Sequence, residues 1–271
     1  EENGIELVVS TRIPEAGLPT RSTTALRQEC NIPYRIDLAG GWLDQPYVSK
    51  HHGGAVLTIS IEPDYDFNDR GGMSTSSRKA AIEMWHVDIP EGDRETLAKM
   101  VFRYENPPGS PYISGSQDAI GIVMPCLNRL NYDGGYWPEN IESVKDDEIL
   151  DFIEKNLWLV PLAPRDSSYD VLADTHIDKA GAEALAKAAD DCWKALLVKD
   201  VTAWGEACTA SFKAQVAMFP NMVSPNVQKA IDEYKERVKG YKITGAGGGG
   251  YLVLINDKPI EEAIQIRIRR K

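Results

Sequence analysis

Four short segments of the 271-residue chain combine glycine, hydroxyl and charged residues at spacings suited to handling an anion or an alcohol. The densest is Lys242-Ile243-Thr244-Gly245-Ala246-Gly247-Gly248-Gly249-Gly250-Tyr251, a glycine loop between two β-rich stretches. Glycine costs backbone entropy, so such a run implies close approach of the backbone to a ligand or to another chain segment; a flexible hairpin is the plainer alternative. The second, Asp69 to Ser77, carries Gly71-Gly72 and Ser74-Thr75-Ser76-Ser77 into a helix. Backbone N–H groups and the dipole at a helix start form an anion site, and the hydroxyls of Thr75, Ser76 and Ser77 add hydrogen bonds or a magnesium ligand. Simple N-capping by serine accounts for the same residues. No GxxxxGK[ST] string is present, so this is not a P-loop. In the third segment, Arg35 to Asp44, alternation puts Arg35 and Asp37 on one strand face, either as a salt bridge or as part of a site. In the fourth, Ser114 to Gly121, Asp118 opens an apolar helix, where it complements the dipole or serves as a general base aimed into a cleft.

The elements that must position these groups follow from periodicity and turn chemistry. Apolar runs at Tyr34 to Ala39 and Ala55 to Ile61 predict strands on either side of a glycine-bearing loop. Helices are expected at Ser76 to Trp85, Arg94 to Glu105, Leu150 to Leu157, Lys179 to Leu197, Val201 to Met218 and Ser224 to Val238. Pro107-Pro108-Gly109 ends the second of these. Strands Tyr241 to Thr244 and Tyr251 to Ile255 flank the glycine run, and a last helix is expected from Pro259 to about Ile266. Mixed strands with a late helical block indicate an α+β protein.

Composition excludes other classes. The chain is 42% hydrophobic, enough for a substantial core, and carries a formal charge of -11 with a pI near 4.9. An acidic surface repels nucleic-acid phosphates, so no nucleic-acid partner is expected. No apolar run reaches the roughly 20 residues of a membrane helix, and the chain reads as a soluble cytoplasmic protein. The four cysteines are scattered without a CxxC pair, predicting free thiols, and His51-His52 lacks further ligands at metal spacing. The basic end, Arg267, Arg269, Arg270 and Lys271, reads as a solvated tail. Tyr112, Tyr132, Tyr136, Trp137 and Trp158 line a cleft or, more commonly at this composition, fill the core.

In this order the four segments resemble the motifs of the GHMP kinases, the superfamily of galactose, homoserine, mevalonate and phosphomevalonate kinases, and in particular its fucose- and heptose-kinase branch. Arg35 to Asp44 is similar to R-x-D-x-x-G-G-W-x-D, Asp69 to Ser77 to the phosphate loop, Gly115 to Asp118 to G-x-Q-D, and Lys242 to Gly250 to K-x-T-G-A-G-x-G-G. Ser74 stands where the phosphate loop has glycine, and only a short stretch separates Ile61 from Gly71 where the family carries further strands around the adenine. The serine is expected to narrow the room for phosphate. In residues 1–28 a strand at Ile5 to Val9, a loop and Ser22-Thr23-Thr24-Ala25-Leu26-Arg27 are similar to the end of a cytidylyltransferase-type domain, which implies a fused nucleotidyltransferase upstream; an ordinary helix cap by Ser or Thr accounts for the same residues.

The resemblance implies a two-lobed α+β fold. A lobe like domain 2 of ribosomal protein S5 would span residues 29–140, and a ferredoxin-like lobe residues 141–271. It implies ATP-dependent phosphorylation of a hydroxyl on a sugar or polyol, with Mg2+. Asp118 and Arg35 would be catalytic. Gly71, Gly72, Ser74, Thr75, Ser76, Ser77, Gly245, Gly247 and Gly248 would hold the nucleotide, and Ser76 and Glu105 the metal. Asp37, Gly41, Trp42 and Asp44 would contact the acceptor. Phosphoryl transfer rests on positioning and electrostatics, so no reactive nucleophile is required. The competing expectation is a sugar- or phosphate-binding regulatory module without turnover. A further one is the same fold with changed chemistry, such as an isomerase or decarboxylase.

Overall fold

The computed structural model describes residues 30–67, 71–164 and 169–271. The reading of residues 1–28, together with Asp69 and Arg70 of the glycine-serine loop, lies outside the described residues.

Two four-stranded antiparallel sheets organise the chain. The first contains β1 (Tyr34–Ala39), β2 (Gly54–Ile61), β3 (Leu127–Tyr132) and β4 (Asn140–Val144), in that spatial order. The β1–β2 register runs from Tyr34 opposite Ile61 to Ala39 opposite Leu57, with an irregularity between Asp37 and Ala39. Such bulges re-aim side chains, and this one lies where the chain leaves the sheet for the motif loop. Every residue of β1 is buried, the two charged ones included. The second sheet has the order β6 (Gly240–Ile243), β7 (Tyr251–Ile255), β5 (Leu157–Pro161), β8 (Ile264–Gln265). Among the described residues, only a 3-10 turn at Tyr65–Phe67 lies between β2 and the next helix.

Eight α-helices are described: α1 (Pro46–Ser49), α2 (Thr75–Trp85), α3 (Arg94–Glu105), α4 (Ser116–Val123), α5 (Asp147–Asn156), α6 (Lys179–Leu197), α7 (Val201–Met218) and α8 (Pro225–Tyr234). Local chemistry sets most of their starts. Asp93, Asp146, Asp178, Asp200 and Ser224 each cap a helix by accepting backbone N–H bonds, and Pro225 occupies the first position of α8. Ser74, before α2, makes no such cap. The α6–α7 pair packs across both sheets, α6 against β1 and β2, α7 against β1, β6 and β7. One apolar cluster accordingly joins Ile36 and Leu57 to Leu159, Trp204 and Val253. No described helix is long and apolar enough to cross a membrane.

Two expectations at the C-terminus are corrected. Residues 259–266 form no helix; a turn at Glu261–Glu262 leads into β8, which pairs with Trp158 and Leu159 of β5. The alternation of Ile264, Ile266 and Ile268 with polar residues is a strand period, and the open edge of β5 supplies the partner. The basic end is not a solvated tail either. Ile268 is buried and bridges to Ile61, Arg269 pairs with Asp88, and Arg270 pairs with Asp151 and Glu154. Tyr132 and Trp158 are core residues, whereas Tyr112 is exposed. The cysteines are free, as expected.

Candidate active site

The site grows from β1. Arg35 and Asp37 do share a face: the guanidinium Nη1 of Arg35 lies 3.0 Å from Asp37 Oδ1. From there two chains of polar contacts diverge. On one side Arg35 Nε donates to Ser74 Oγ at 2.7 Å, Ser74 Oγ donates to Asp118 Oδ1 at 2.8 Å, and Arg35 Nη2 pairs directly with the same carboxylate oxygen. On the other side Lys242 Nζ, fully buried on β6, donates to Asp37 Oδ2 at 2.7 Å, to the Asp37 carbonyl at 2.8 Å and to the Ile243 carbonyl at 3.0 Å. All three ammonium protons are thereby used. Burial pulls the Arg35 pKa below its ordinary value, against the opposing pull of Asp37 and Asp44.

Ser74 explains its own departure from glycine. Its backbone sits in the left-handed region at φ 56°, where glycine is relaxed and an L-residue is strained. The side chain does not project toward the helix start; it turns back and bridges Arg35 to Asp118. The hydroxyl expected to narrow the phosphate loop is instead engaged by Arg35 and Asp118, and the capping explanation fails because it makes no cap bond.

Two glycines allow α4 to approach this cluster. A Cβ at Gly121 would overlap the Arg35 side chain, and one at Gly115 would overlap the Asp44 carboxylate. Asp44 is buried and accepts from Gln117 Nε2 at 2.8 Å as well as from the Gln117 backbone N–H, so it caps α4. Loss of solvation raises its pKa to about 6, in spite of those bonds and of Arg35.

The glycine run packs against the chain itself. A Cβ at Gly72 would overlap Thr244, one at Gly245 would press on Gly72, and one at Gly247 on Met222. The Gly248 N–H is donated to the Met222 carbonyl at 2.9 Å. The two glycine loops thus cross backbone to backbone, bringing Gly245 and Ala246 to the rim of the Arg35 cluster.

A cavity of about 90 Å³ is lined by Arg35, Asp37, Gly41, Trp42, Asp44, Asp118 and Gly245 from among the expected residues. Gln45, Gly115, Gln117, Gln215 and Ala246 complete it. Trp42, held at φ 84°, stacks on Phe219 with ring centroids 4.3 Å apart and forms an apolar wall. Gly71, Gly72, Ser74, Thr75, Ser76, Ser77, Gly247, Gly248 and Glu105 do not line this cavity. Ser77 and Glu105 form a separate pair at the start of α2, with Ser77 Oγ donating to Glu105 Oε2 at 2.6 Å; Ser76 is exposed and also bonds to Glu105. Burial raises the Glu105 pKa, opposed by the two serines. One half-buried carboxylate with two hydroxyls is a hard-oxygen donor set that fits Mg2+, which is commonly held by one or two carboxylates plus substrate phosphates.

Lys242 and the three glutamines were not among the expected site residues. Lys242 opens the K-x-T-G-A-G string and was available as a signal; Gln215 lies in the last turn of α7 with no local pattern to mark it.

The two-lobed α+β fold is that of the GHMP kinases. No family model matches the chain, and no curated protein matches it in sequence. Solved structures do match over most of its length. A mevalonate kinase aligns at TM-score 0.59 and 13% identity, over 89% of this chain and 99% of that one. A D-glycero-D-manno-heptose 1-phosphate kinase from Bacteroides thetaiotaomicron aligns at TM-score 0.54 and 12% identity, over 88% and 94%. The phosphomevalonate kinase of Streptococcus pneumoniae, in complex with phosphomevalonate and AMPPNP, aligns at TM-score 0.59 and 12% identity, over 84% and 91%. At these identities the likeness establishes the fold.

Proposed function

We propose that the chain is an ATP-dependent kinase that phosphorylates a hydroxyl of a sugar or polyol. The observation that carries this reading is the Arg35–Ser74–Asp118 cluster at one wall of a polar cavity, beside the start of α2, in a fold shared with small-molecule kinases. Both bonds to Asp118 fall on Oδ1, which leaves Oδ2 for the acceptor hydroxyl. That oxygen takes the hydroxyl proton as the acceptor oxygen bonds to the γ-phosphorus and the bond to the leaving ADP oxygen breaks. Arg35, charged and desolvated, stabilises negative charge developing on the transferred group. The first turn of α2 offers its backbone N–H groups to the nucleotide phosphates, and Ser76, Ser77 and Glu105 would hold Mg2+, which offsets phosphate charge when bound.

Work done inside a cell at the expense of ATP fits a cytoplasmic site of action. The short stretch between β2 and α2 favours a second reading, a sugar-binding module without turnover, because few residues are left there to enclose an adenine. ADP release with Mg-ATP across free sugars and polyols, with Asp118→Asn in parallel, separates the two. Turnover on one acceptor, reduced about a thousandfold in the variant, supports the kinase. Sugar binding by calorimetry with no ADP release supports the module.

A further inference from the structure

Three glutamine side chains line the cavity: Gln45 at the start of α1, Gln117 on α4 and Gln215 on α7. All three are more than nine-tenths buried. In each the amide orientation is fixed by what its N–H donates to. Gln45 Nε2 bonds the Ile113 carbonyl at 3.4 Å, Gln117 Nε2 the Asp44 carboxylate at 2.8 Å, and Gln215 Nε2 the Gly41 carbonyl at 3.1 Å. A flipped amide would face oxygen to oxygen, so each carbonyl oxygen is committed to the opposite side. There it has no partner among the described residues: Gln45 Oε1, Gln117 Oε1 and Gln215 Oε1 are all buried and unbonded. A buried acceptor left without a donor keeps its desolvation penalty uncompensated, and native folds keep few of them. All three belong to residues that line one cavity, where a hydroxylated ligand would supply the missing donors.

The charges of the same wall point the same way. Among the described residues Arg35 is its only cation, already shared between Asp37 and Asp118, against the carboxylates of Asp37, Asp44 and Asp118. Lys242 behind it has all three protons engaged. The helix start that faces the cavity, that of α4, is capped by Asp44. No described residue at the acceptor end of the cavity is left to neutralise a carboxylate or phosphate on the substrate, whereas hydroxyl donors meet acceptors throughout.

We infer that the acceptor is a neutral polyhydroxylated molecule read by Gln45, Gln117 and Gln215, and that analogues bearing a carboxylate or phosphate are rejected. This deepens the kinase reading and rests on it for the term acceptor; the binding preference itself stands without turnover.

The test uses the full chain, calorimetry and ADP release, and a panel in which each neutral aldose is paired with its uronic acid and its phosphate ester, together with inositols and mevalonate. The expected result is that one or more neutral members bind at least 100-fold tighter than their anionic partners. For the best acceptor, Gln45→Met and Gln215→Met each raise Kd and KM about 10- to 100-fold with kcat within about threefold, as loss of a buried hydrogen bond predicts. Single-deoxy analogues show the matching loss in the unmodified chain and none in the variant that read the missing hydroxyl. If a variant fails to fold, the deoxy series on the unmodified chain decides the matter. Preference for an anionic member, indifference to hydroxyl deletion, or no binding of any neutral member overturns the inference. Neutral binding without ADP release overturns the kinase reading instead, and turnover on an anionic acceptor spares the kinase reading while overturning this one.

Discussion

Asp44 carries the clearest conflict between stability and function. Its carboxyl is buried, and its pKa stands at about 6 in the folded chain against 3.8 when solvated. A raised carboxyl pKa means the folded state binds the proton more tightly than the unfolded one. The associated stability is present below about pH 4, is lost as pH rises through about 6, and stays lost above. Ionised Asp44 therefore costs the fold roughly 3 kcal/mol at neutral pH, since each pH unit separating the folded and solvated values corresponds to about 1.4 kcal/mol. Asp44→Asn is expected to raise the melting temperature at pH 7.5 by several degrees and to leave it unchanged at pH 4, while weakening acceptor binding. In the unmodified chain KM should rise as pH falls below about 6, where the carboxylate becomes neutral; thermal melts and KM measured across pH 4 to 8 check both. Ser74 shows the same trade on the backbone: a left-handed residue that glycine would fill more comfortably is retained with a hydroxyl that ties Arg35 to Asp118.

Between elements, close approach requires missing side chains. Gly205 of α7 faces Gly240 of β6, and a Cβ on either would overlap the backbone of the other element. That contact sets the depth at which α7 lies on the second sheet, and α7 also carries Gln215 to the cavity and Ser211 Oγ to the Gly40 N–H at 2.9 Å. Gly205→Ala must therefore push helix and strand apart. It is expected to destabilise the fold by about 1–3 kcal/mol and to raise KM for the acceptor, since Gln215 and the Gly40–Gly41 turn move together. Denaturant unfolding and steady-state kinetics on the same preparation test this; a stability loss with an unchanged KM would detach α7 from the site.

Across the molecule, Lys242 joins the two sheets. It stands on β6 of the second sheet and its partner Asp37 on β1 of the first, 205 positions earlier. The pair is fully desolvated, so its net contribution is modest, but removing one member strands a buried charge. Lys242→Met is expected to cost about 3–5 kcal/mol in equilibrium unfolding. Combining it with Asp37→Asn should recover part of that loss, because Asp37 then no longer holds a buried carboxylate oxygen that has lost its ammonium partner and keeps only Arg35 as counter-charge. Additive losses in the double variant would show that the pair is not coupled. The C-terminal segment makes the other long-range tie. Ile268 bridges to Ile61 at the end of β2, and the arginines around it pair with carboxylates at the surface, where such pairs are worth little. The buried isoleucine supplies the attachment.

Much of the frame was readable in the sequence because its signals are local. Helical periodicity gave α3, α6 and α7 at their observed bounds, and Tyr34–Ala39 and Tyr251–Ile255 read as strands by their apolar runs. The motif strings named Arg35, Asp44, Asp118 and Gly245, which meet at one cavity. The segment from Pro259 to Ile266 misled because helix and strand periods differ little over so short a run, and only the open edge of β5 decided between them. Which charges pair, which glycines face protein, and which glutamines face the cavity were settled by tertiary structure alone. A side chain's partner across 205 positions depends on how sheets and helices stack, and no window of sequence carries that distance.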